Sequence, residues 1–239
     1  MAPILEIEKL SKTYKVGFRR KELAAVKSLD LSVEQGEIFG FLGPNGAGKS
    51  TTIKMLAGLI FPTSGSARIF GQPVPTPASR ARMGYLPEHP YFHDFLTPTE
   101  VLQLAGRLCG MSSARIAERS GALLDLVGLQ AAKDMPLRRF SKGMLQRIGI
   151  AQALIHDPDL VILDEPMSGL DPMGRKDVRD IIFRLKEEGK TVFFSTHILP
   201  DVEAICDRVG LMLGGELREL GRLDALLSAN TRAVDVVAA

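Results

Sequence analysis

Leu5 and Ile7 alternate with Glu6 and Glu8, a period of two that predicts a strand with one buried face. Leu23 to Val33 reads as one or two further strands, and Glu37 to Leu42 as a short apolar one. The pattern then turns helical: Ile53, Leu56, Ala57 and Ile60 recur at helical spacing, with Gly58 near the end. Ser66–Phe70 and Met83–Leu86 return to strand character, separated by a loop that Pro73, Pro75 and Pro77 enforce. Thr97-Pro98-Thr99-Glu100 is a capping box with proline at the first helical position, and Val101, Leu102, Ala105 and Leu108 form the stripe behind it. A second helix is predicted over about 113–127, stopped near Gly128. A third begins after Ser141 and carries Met144, Leu145, Ile148, Ala151 and Ile155 inward.

Leu160-Val161-Ile162-Leu163 is an unbroken apolar run, suited to a strand covered on both faces. A helix with Val178, Ile181, Ile182 and Leu185 inward closes at Gly189, and Thr191–Thr196 is the next buried strand. After a short helix, Val209–Leu213 and Glu216–Leu220 flank Gly214-Gly215 as a hairpin. The layout is α/β: a core at 1–87 and 156–225, an all-helical insertion at 88–155 and a tail at 226–239.

Composition narrows this picture. A 239-residue chain with 45% hydrophobic and 24% charged residues suits an ordinary globular core. A net charge of +2 leaves no basic footprint, so no nucleic-acid partner is expected. Cys109 and Cys206 suggest no disulfide framework and are read as packing residues of a protein kept reduced. No apolar run reaches the length of a membrane span and no signal peptide is evident, so any membrane role needs a partner. Arg19-Arg20-Lys21 reads as a solvated loop. Pro90 between His89 and His93 argues against a helical metal pair.

The chemistry concentrates in a few segments. Gly43-Pro44-Asn45-Gly46-Ala47-Gly48-Lys49-Ser50, between a strand and a helix, fits the phosphate-loop pattern. Its glycines let backbone N–H groups turn toward phosphate oxygens, and the following helix aims its positive end at them, with Thr51 also expected among the ATP-binding residues. Lys49 is expected on the β- and γ-phosphates of ATP, and Ser50 on Mg²⁺. The apolar strand ends on Asp164 and Glu165, where open α/β sheets bind ligands. Asp164 is the expected Mg²⁺ partner and Glu165 the base that polarises the attacking water.

With these motifs in place, Phe140-Ser141-Lys142-Gly143-Met144 followed by Gln146 resembles the signature segment of ATP-binding-cassette ATPases. Ser168-Gly169-Leu170-Asp171 resembles their D-loop, His197 their switch histidine, and Tyr14 the ring they stack on adenine. The matches run in family order over nearly the whole chain. The resemblance implies a P-loop NTPase core with N-terminal antiparallel β-strands and an inserted all-helical subdomain. It also implies a head-to-tail pair of copies sandwiching two ATP molecules. Each site would take its phosphate loop from one copy and its signature, with Ser141 and Gly143, from the other; Asp171 is expected among the nucleotide-binding residues. Physically, Ser141 caps a helix aimed at the γ-phosphate, and Gly143 permits close backbone approach.

Two positions depart from the common pattern. Glu88 stands where the family usually has a glutamine near Mg²⁺ and the attacking water, and the signature reads Ser-Lys-Gly rather than Ser-Gly-Gly. Both resemble the branch serving ABC-2-type exporters, which implies a separate integral membrane subunit and a peripheral position on the cytoplasmic face of the membrane. A soluble family member in DNA repair, chromosome structure or translation is the alternative. It is opposed by the absence of a long coiled-coil or zinc insertion. Many relatives with a similar signature continue past this C-terminus, so the chain is read as a short or truncated form. Tyr91-Phe92-His93-Asp94-Phe95-Leu96 is either folded into the core or offered to the membrane subunit.

Overall fold

The computed structural model describes residues 3–17, 21–223 and 225. In chain order the elements are β1 (Leu5–Val16), β2 (Lys21–Val33), β3 (Ile38–Leu42), α1 (Lys49–Leu56), β4 (Ser64–Ile69), β5 (Gln72–Pro73), α2 (Pro77–Arg80), β6 (Met83–Leu86), α3 (Pro98–Leu108), α4 (Ser113–Leu126), α5 (Lys142–Leu154), β7 (Leu160–Leu163), α6 (Pro172–Glu187), β8 (Thr191–Thr196), α7 (Leu199–Ile205), β9 (Arg208–Leu213) and β10 (Glu216–Arg222). Short 3-10 turns occupy Gln130–Ala132 and Leu137–Arg139. The chain divides into two compact units, one of residues up to Ser79 and from Phe193 onward, the other Arg80–Val192.

In the first unit, β2-β1-β4-β5 form an antiparallel sheet. The predicted alternation holds, since Leu5 and Ile7 are buried while Glu8 is exposed. Lys21, read as part of a loop, instead opens β2; Arg19 and Arg20 lie outside the described residues. A second set of strands pairs β3 with β9 in parallel and β9 with β10 antiparallel. Phe39 stacks on Phe193 with ring centroids 5.4 Å apart, and Phe41 meets the same ring at 5.3 Å. All three rings are fully buried, each worth roughly 1.5–3 kcal/mol of apolar burial. Cys206 packs beside Val202, Val209 and Leu223, as expected of a small apolar residue. Helix α1 is shorter than its pattern predicts: it ends at Leu56, so Ile60 lies beyond it and is only half-buried. Gly58, with φ 69, turns the chain there. The proline loop also holds more order than expected, the two-residue β5 and the one-turn α2.

The second unit pairs β6 with β7 in parallel, Met83 opposite Leu160 and Leu86 opposite Leu163. All four residues of β7 are fully buried, as their unbroken apolar run requires. Between residues 88 and 155 every described element is helical. Thr97 accepts from the Glu100 N–H, and the Glu100 carboxylate accepts from the Thr97 N–H at 2.8 Å and its hydroxyl at 2.9 Å. These bonds, the backbone one foremost, hold the Glu100 carboxyl below its ordinary value. Ser112 caps α4, and Val178, Ile181, Ile182 and Leu185 form the buried stripe of α6.

Three expectations about this unit are corrected. On α3, Val101 and Leu102 are buried and Ala105 is half-buried, but Leu108 is exposed. The helix approaches α4 through Gly106, where an added Cβ would fall 2.6 Å from Ile116. That close line leaves the Leu104–Leu108 side uncovered. On α5, Ile148, Ala151 and Ile155 point inward, but Met144 and Leu145 are only half-buried and Gln146 takes the buried place. Cys109, expected to pack, is exposed at the end of α3.

A charged cluster closes the far end of α5. Asp157 has φ 61 and receives Lys190 at 2.7 Å, Arg119 at 3.3 Å and Arg115 at 3.9 Å. The Lys190 hydrogen bond, against some burial and helped by the three cations, holds its carboxyl below the usual range. A depressed folded value stabilises the fold above the unfolded pKa of about 4, and that contribution disappears as pH falls through the folded value. Asp157→Asn should therefore lower the urea midpoint at neutral pH, with the gap to the parent narrowing below about pH 4. A gap that stays constant with pH would show that charge is not what the residue contributes.

Candidate functional site

The phosphate-loop residues all fall in the first unit. β3 delivers the chain into Gly43 and α1 takes it up at Lys49. Gly43, Ala47, Gly48 and Lys49 are buried, whereas Pro44, Asn45 and Gly46 form the exposed tip, with Ser50 and Thr51 half-buried. Gly48 has φ 104 at the N-terminus of α1, a conformation natural only to glycine. At Gly43 a side chain would overlap the Met212 carbonyl oxygen. The loop is braced by Gly43 N–H to Thr196 O, Ala47 N–H to Pro44 O and Gly215 N–H to Ala47 O, each at 3.1 Å. Lys49 Nζ lies inside this ring, donating to Gly43 O at 2.6 Å and Pro44 O at 3.3 Å, and the residue is 5% exposed.

Tyr14 sits half-buried on β1, and His197 is exposed directly after β8. The hairpin of β9 and β10 forms part of the loop's wall through Met212 and Gly215. Sequence pattern marked this hairpin only as an element, since nothing local to it points to phosphate binding.

The carboxylates fall in the second unit. Asp164 and Glu165 follow β7 and are 1% and 5% exposed. The Asp164 N–H donates to Leu86 O at 2.9 Å. Glu165 has φ 48, a left-handed conformation that is costly for a residue with a long side chain. Burying two adjacent acids, one on strained backbone, is unfavourable for folding alone and marks a site where charge is needed. The sequence placed these acids, but neither their depth nor the strain. Tyr85, on the neighbouring β6, was not singled out at all. Its hydroxyl is buried with no hydrogen-bond partner among the described residues. Burial, then the charge of Asp164, pushes its pKa up to about 12. Glu88 follows β6 half-buried in a loop, 3.9 Å from the His89 ring. The loop conformation of 88–95 agrees with the reading of His89 and His93 as loop residues.

Ser141 caps α5, its hydroxyl accepting from the Met144 N–H at 3.3 Å. Asp171 caps α6, its carboxylate accepting from the Gly174 N–H at 2.8 Å. Both N-termini border one open cavity of about 330 Å³, lined by Ser141, Lys142, Gly143, Gly169, Leu170 and Asp171 among others. Ser141 is exposed, and an added Cβ at Gly143 would find nothing nearer than 3.8 Å. Both helix N-termini lend the cavity positive partial charge, with Lys142 and Arg147 among its lining against the carboxylates of Asp171 and Asp177.

The family model for ABC transporters matches residues 26–168, more than half of the chain. The chain belongs to the ABC transporter family. An ABC transporter ATP-binding protein of Synechocystis is 49% identical over 99% of this chain and 67% of its own length. The Nod factor export ATP-binding protein I of Cupriavidus metallidurans is 38% identical over 96% of this chain and 74% of its own. An ATP-binding cassette solved as a dimer in a post-hydrolysis state with ADP and Pi superposes with a TM-score of 0.82. It is 25% identical, over 92% of this chain and 98% of that one. The chain is thus an ABC-type ATPase, the ATP-binding subunit of a transport system, and its fold is that of the P-loop cassettes. The non-transport alternative is not favoured. The matched span takes in the phosphate loop, Glu88, Ser141, Gly143, Asp164 and Glu165; Tyr14, Asp171 and His197 lie outside it.

Proposed function

We propose that this ABC subunit powers export through a separate integral membrane subunit, working as a head-to-tail pair of copies on the cytoplasmic face of the membrane. Among the described residues, no helix is long and apolar enough to cross a membrane. The observation that carries the reading is an apolar groove on the second unit. Tyr91, Phe92, His93, Leu96, Val101, Leu104, Ala105 and Leu108 line a cavity of about 200 Å³. Tyr91 is 89% and Phe95 66% exposed, and His93 stacks on Phe95 at 5.5 Å. An uncovered face of rings and leucines beside an amphipathic helix suits a short apolar helix of a partner. Export is supported by the relative whose name describes export of Nod factor.

In this reading Gly43 to Thr51 cradle the triphosphate of ATP, with Lys49 neutralising the β- and γ-oxygens and Tyr14 stacking on adenine. Asp164 and Glu88 in the second unit carry carboxylate oxygens and Ser50 in the first a hydroxyl, the hard donor types that Mg²⁺ takes. When bound, Mg²⁺ would supply charge neutralisation on the phosphates. Glu165 accepts hydrogen from the attacking water and orients it, and His197 donates toward the γ-phosphate. Ser141, Gly143 and the N-terminus of α5 close over the γ-phosphate held by the second copy, with Asp171 at the same border. The segment 88–155 acts as the signature subdomain.

Tyr91→Ala with Phe95→Ala tests the reading. The expected outcome is an unchanged melting temperature and unchanged ATPase of the isolated subunit, with at least roughly tenfold weaker copurification with the membrane subunit. A large fall in melting temperature with intact copurification would instead make these rings part of the core.

A further inference from the structure

Lys12 lies two residues before Tyr14 on β1 and was marked by no motif. Its ammonium sits over the Tyr14 ring, 5.2 Å from the centroid, and donates to the Phe61 carbonyl at 2.6 Å. Two more bonds join the same segments: the Thr63 N–H donates to Ser11 O at 2.8 Å, and the Thr13 N–H to the Thr63 hydroxyl at 3.0 Å. Residues 61–63 lie a few positions past the end of α1, the helix whose first residues are Lys49 and Ser50. β1 is therefore tied to the segment leaving the phosphate-loop helix, and one of these ties also covers a face of the tyrosine ring.

We propose that Lys12 is a positioning residue for the nucleotide base: it fixes the Tyr14 ring in one orientation and at one distance from the phosphate loop. This rests on the reading of Tyr14 as the adenine platform. ATP presents its base and its triphosphate as two ends of one ligand, so both ends bind fully only if their protein partners hold a set spacing. A half-buried ring held by nothing else can still change its side-chain torsions. An ammonium anchored to a main-chain carbonyl and attracted to the ring face restricts that freedom. The Phe61 carbonyl makes the anchor independent of any side chain.

The test compares Mg-ATP with Mg-tripolyphosphate, which has the phosphates but no base, by calorimetry on the whole chain. Lys12→Met keeps most of the aliphatic stem and loses the charge and the donor. It should weaken ATP about three- to tenfold, the scale of one cation–π contact and one hydrogen bond, while tripolyphosphate affinity stays at the parent value. Unchanged tripolyphosphate binding also shows that the loop has folded. Lys12→Arg should restore most of the loss, since a guanidinium can both donate to the carbonyl and cover the ring. In a Tyr14→Ala background, Lys12→Met should add nothing. Equal losses for ATP and tripolyphosphate would make Lys12 a general tether of the loop and overturn the proposal, as would parent-like ATP binding in Lys12→Met. If Tyr14→Ala itself leaves ATP affinity unchanged, the adenine-platform reading fails. A weakened Tyr14→Ala beside a silent Lys12→Met removes only Lys12.

Discussion

Glu165→Gln should reduce steady-state ATP turnover by at least about a hundredfold, the usual scale for losing a positioned general base, while ATP binding persists. The substitution is nearly isosteric, so the 5% exposed side chain keeps its place and the left-handed backbone at φ 48 is no harder for glutamine than for glutamate. What changes is the charge that accepts hydrogen from water. ATP then remains uncleaved, and the pair of copies it bridges should stay closed, visible as a shift to dimer on size exclusion in Mg-ATP. The same column distinguishes the composite site from a simple one. Ser141 is exposed at the N-cap of α5 beside an open cavity. Adding Ser141→Arg places a long side chain where the second copy's γ-phosphate would approach, and should abolish the dimer without weakening ATP binding to the single chain. Turnover near the parent rate in Glu165→Gln would remove this residue from the chemistry. A dimer that survives Ser141→Arg would remove the head-to-tail arrangement.

Lys49→Ala should weaken ATP by roughly tenfold or more and bring hydrolysis to background, because charge-assisted hydrogen bonds are each worth about 1.5–3 kcal/mol. Lys49 Nζ bridges Gly43 O and Pro44 O, so the substitution also removes two ties across the loop. The ligand series separates the two effects. A charge acting on the β- and γ-phosphates predicts a large loss for ATP and little for AMP. A loop that has merely loosened predicts comparable losses for both. Parent-like ATP affinity by calorimetry would take Lys49 out of the phosphate site.

Much of the frame behind these expectations was legible in the chain. The phosphate loop could be placed because a strand, a glycine-rich turn and a helix follow one another without interruption. The caps at Thr97 and Ser141 could be read because a cap and the N–H it serves are three residues apart. β7 and the helix α6 followed from apolar periodicity. The errors have a common origin. Leu108 belongs to the same periodic stripe as Val101, yet it is exposed because α4 meets α3 along Gly106 instead. Gln146 displaced Met144 and Leu145 from the inward face of α5 for the same reason: periodicity predicts a face, and the neighbour decides which residues of it are covered.

By itself, the sequence determined the α/β alternation, the all-helical stretch between Glu88 and Ile155, the phosphate loop and the identity of the acids after β7. These are properties of residues adjacent in the chain, where steric limits and hydrogen-bond spacing act without help from distant segments. Tertiary structure alone decided the rest. It set the Met212 carbonyl behind Gly43, the depth of Asp164 and Glu165, the strain at Glu165, the burial of the Tyr85 hydroxyl and the ammonium of Lys12 over Tyr14 between β1 and Phe61. Each of these depends on atoms far apart in sequence or on how deeply a residue is covered. Only packing can determine such facts, because burial and close approach are set by which surfaces meet and not by the order of residues within one of them.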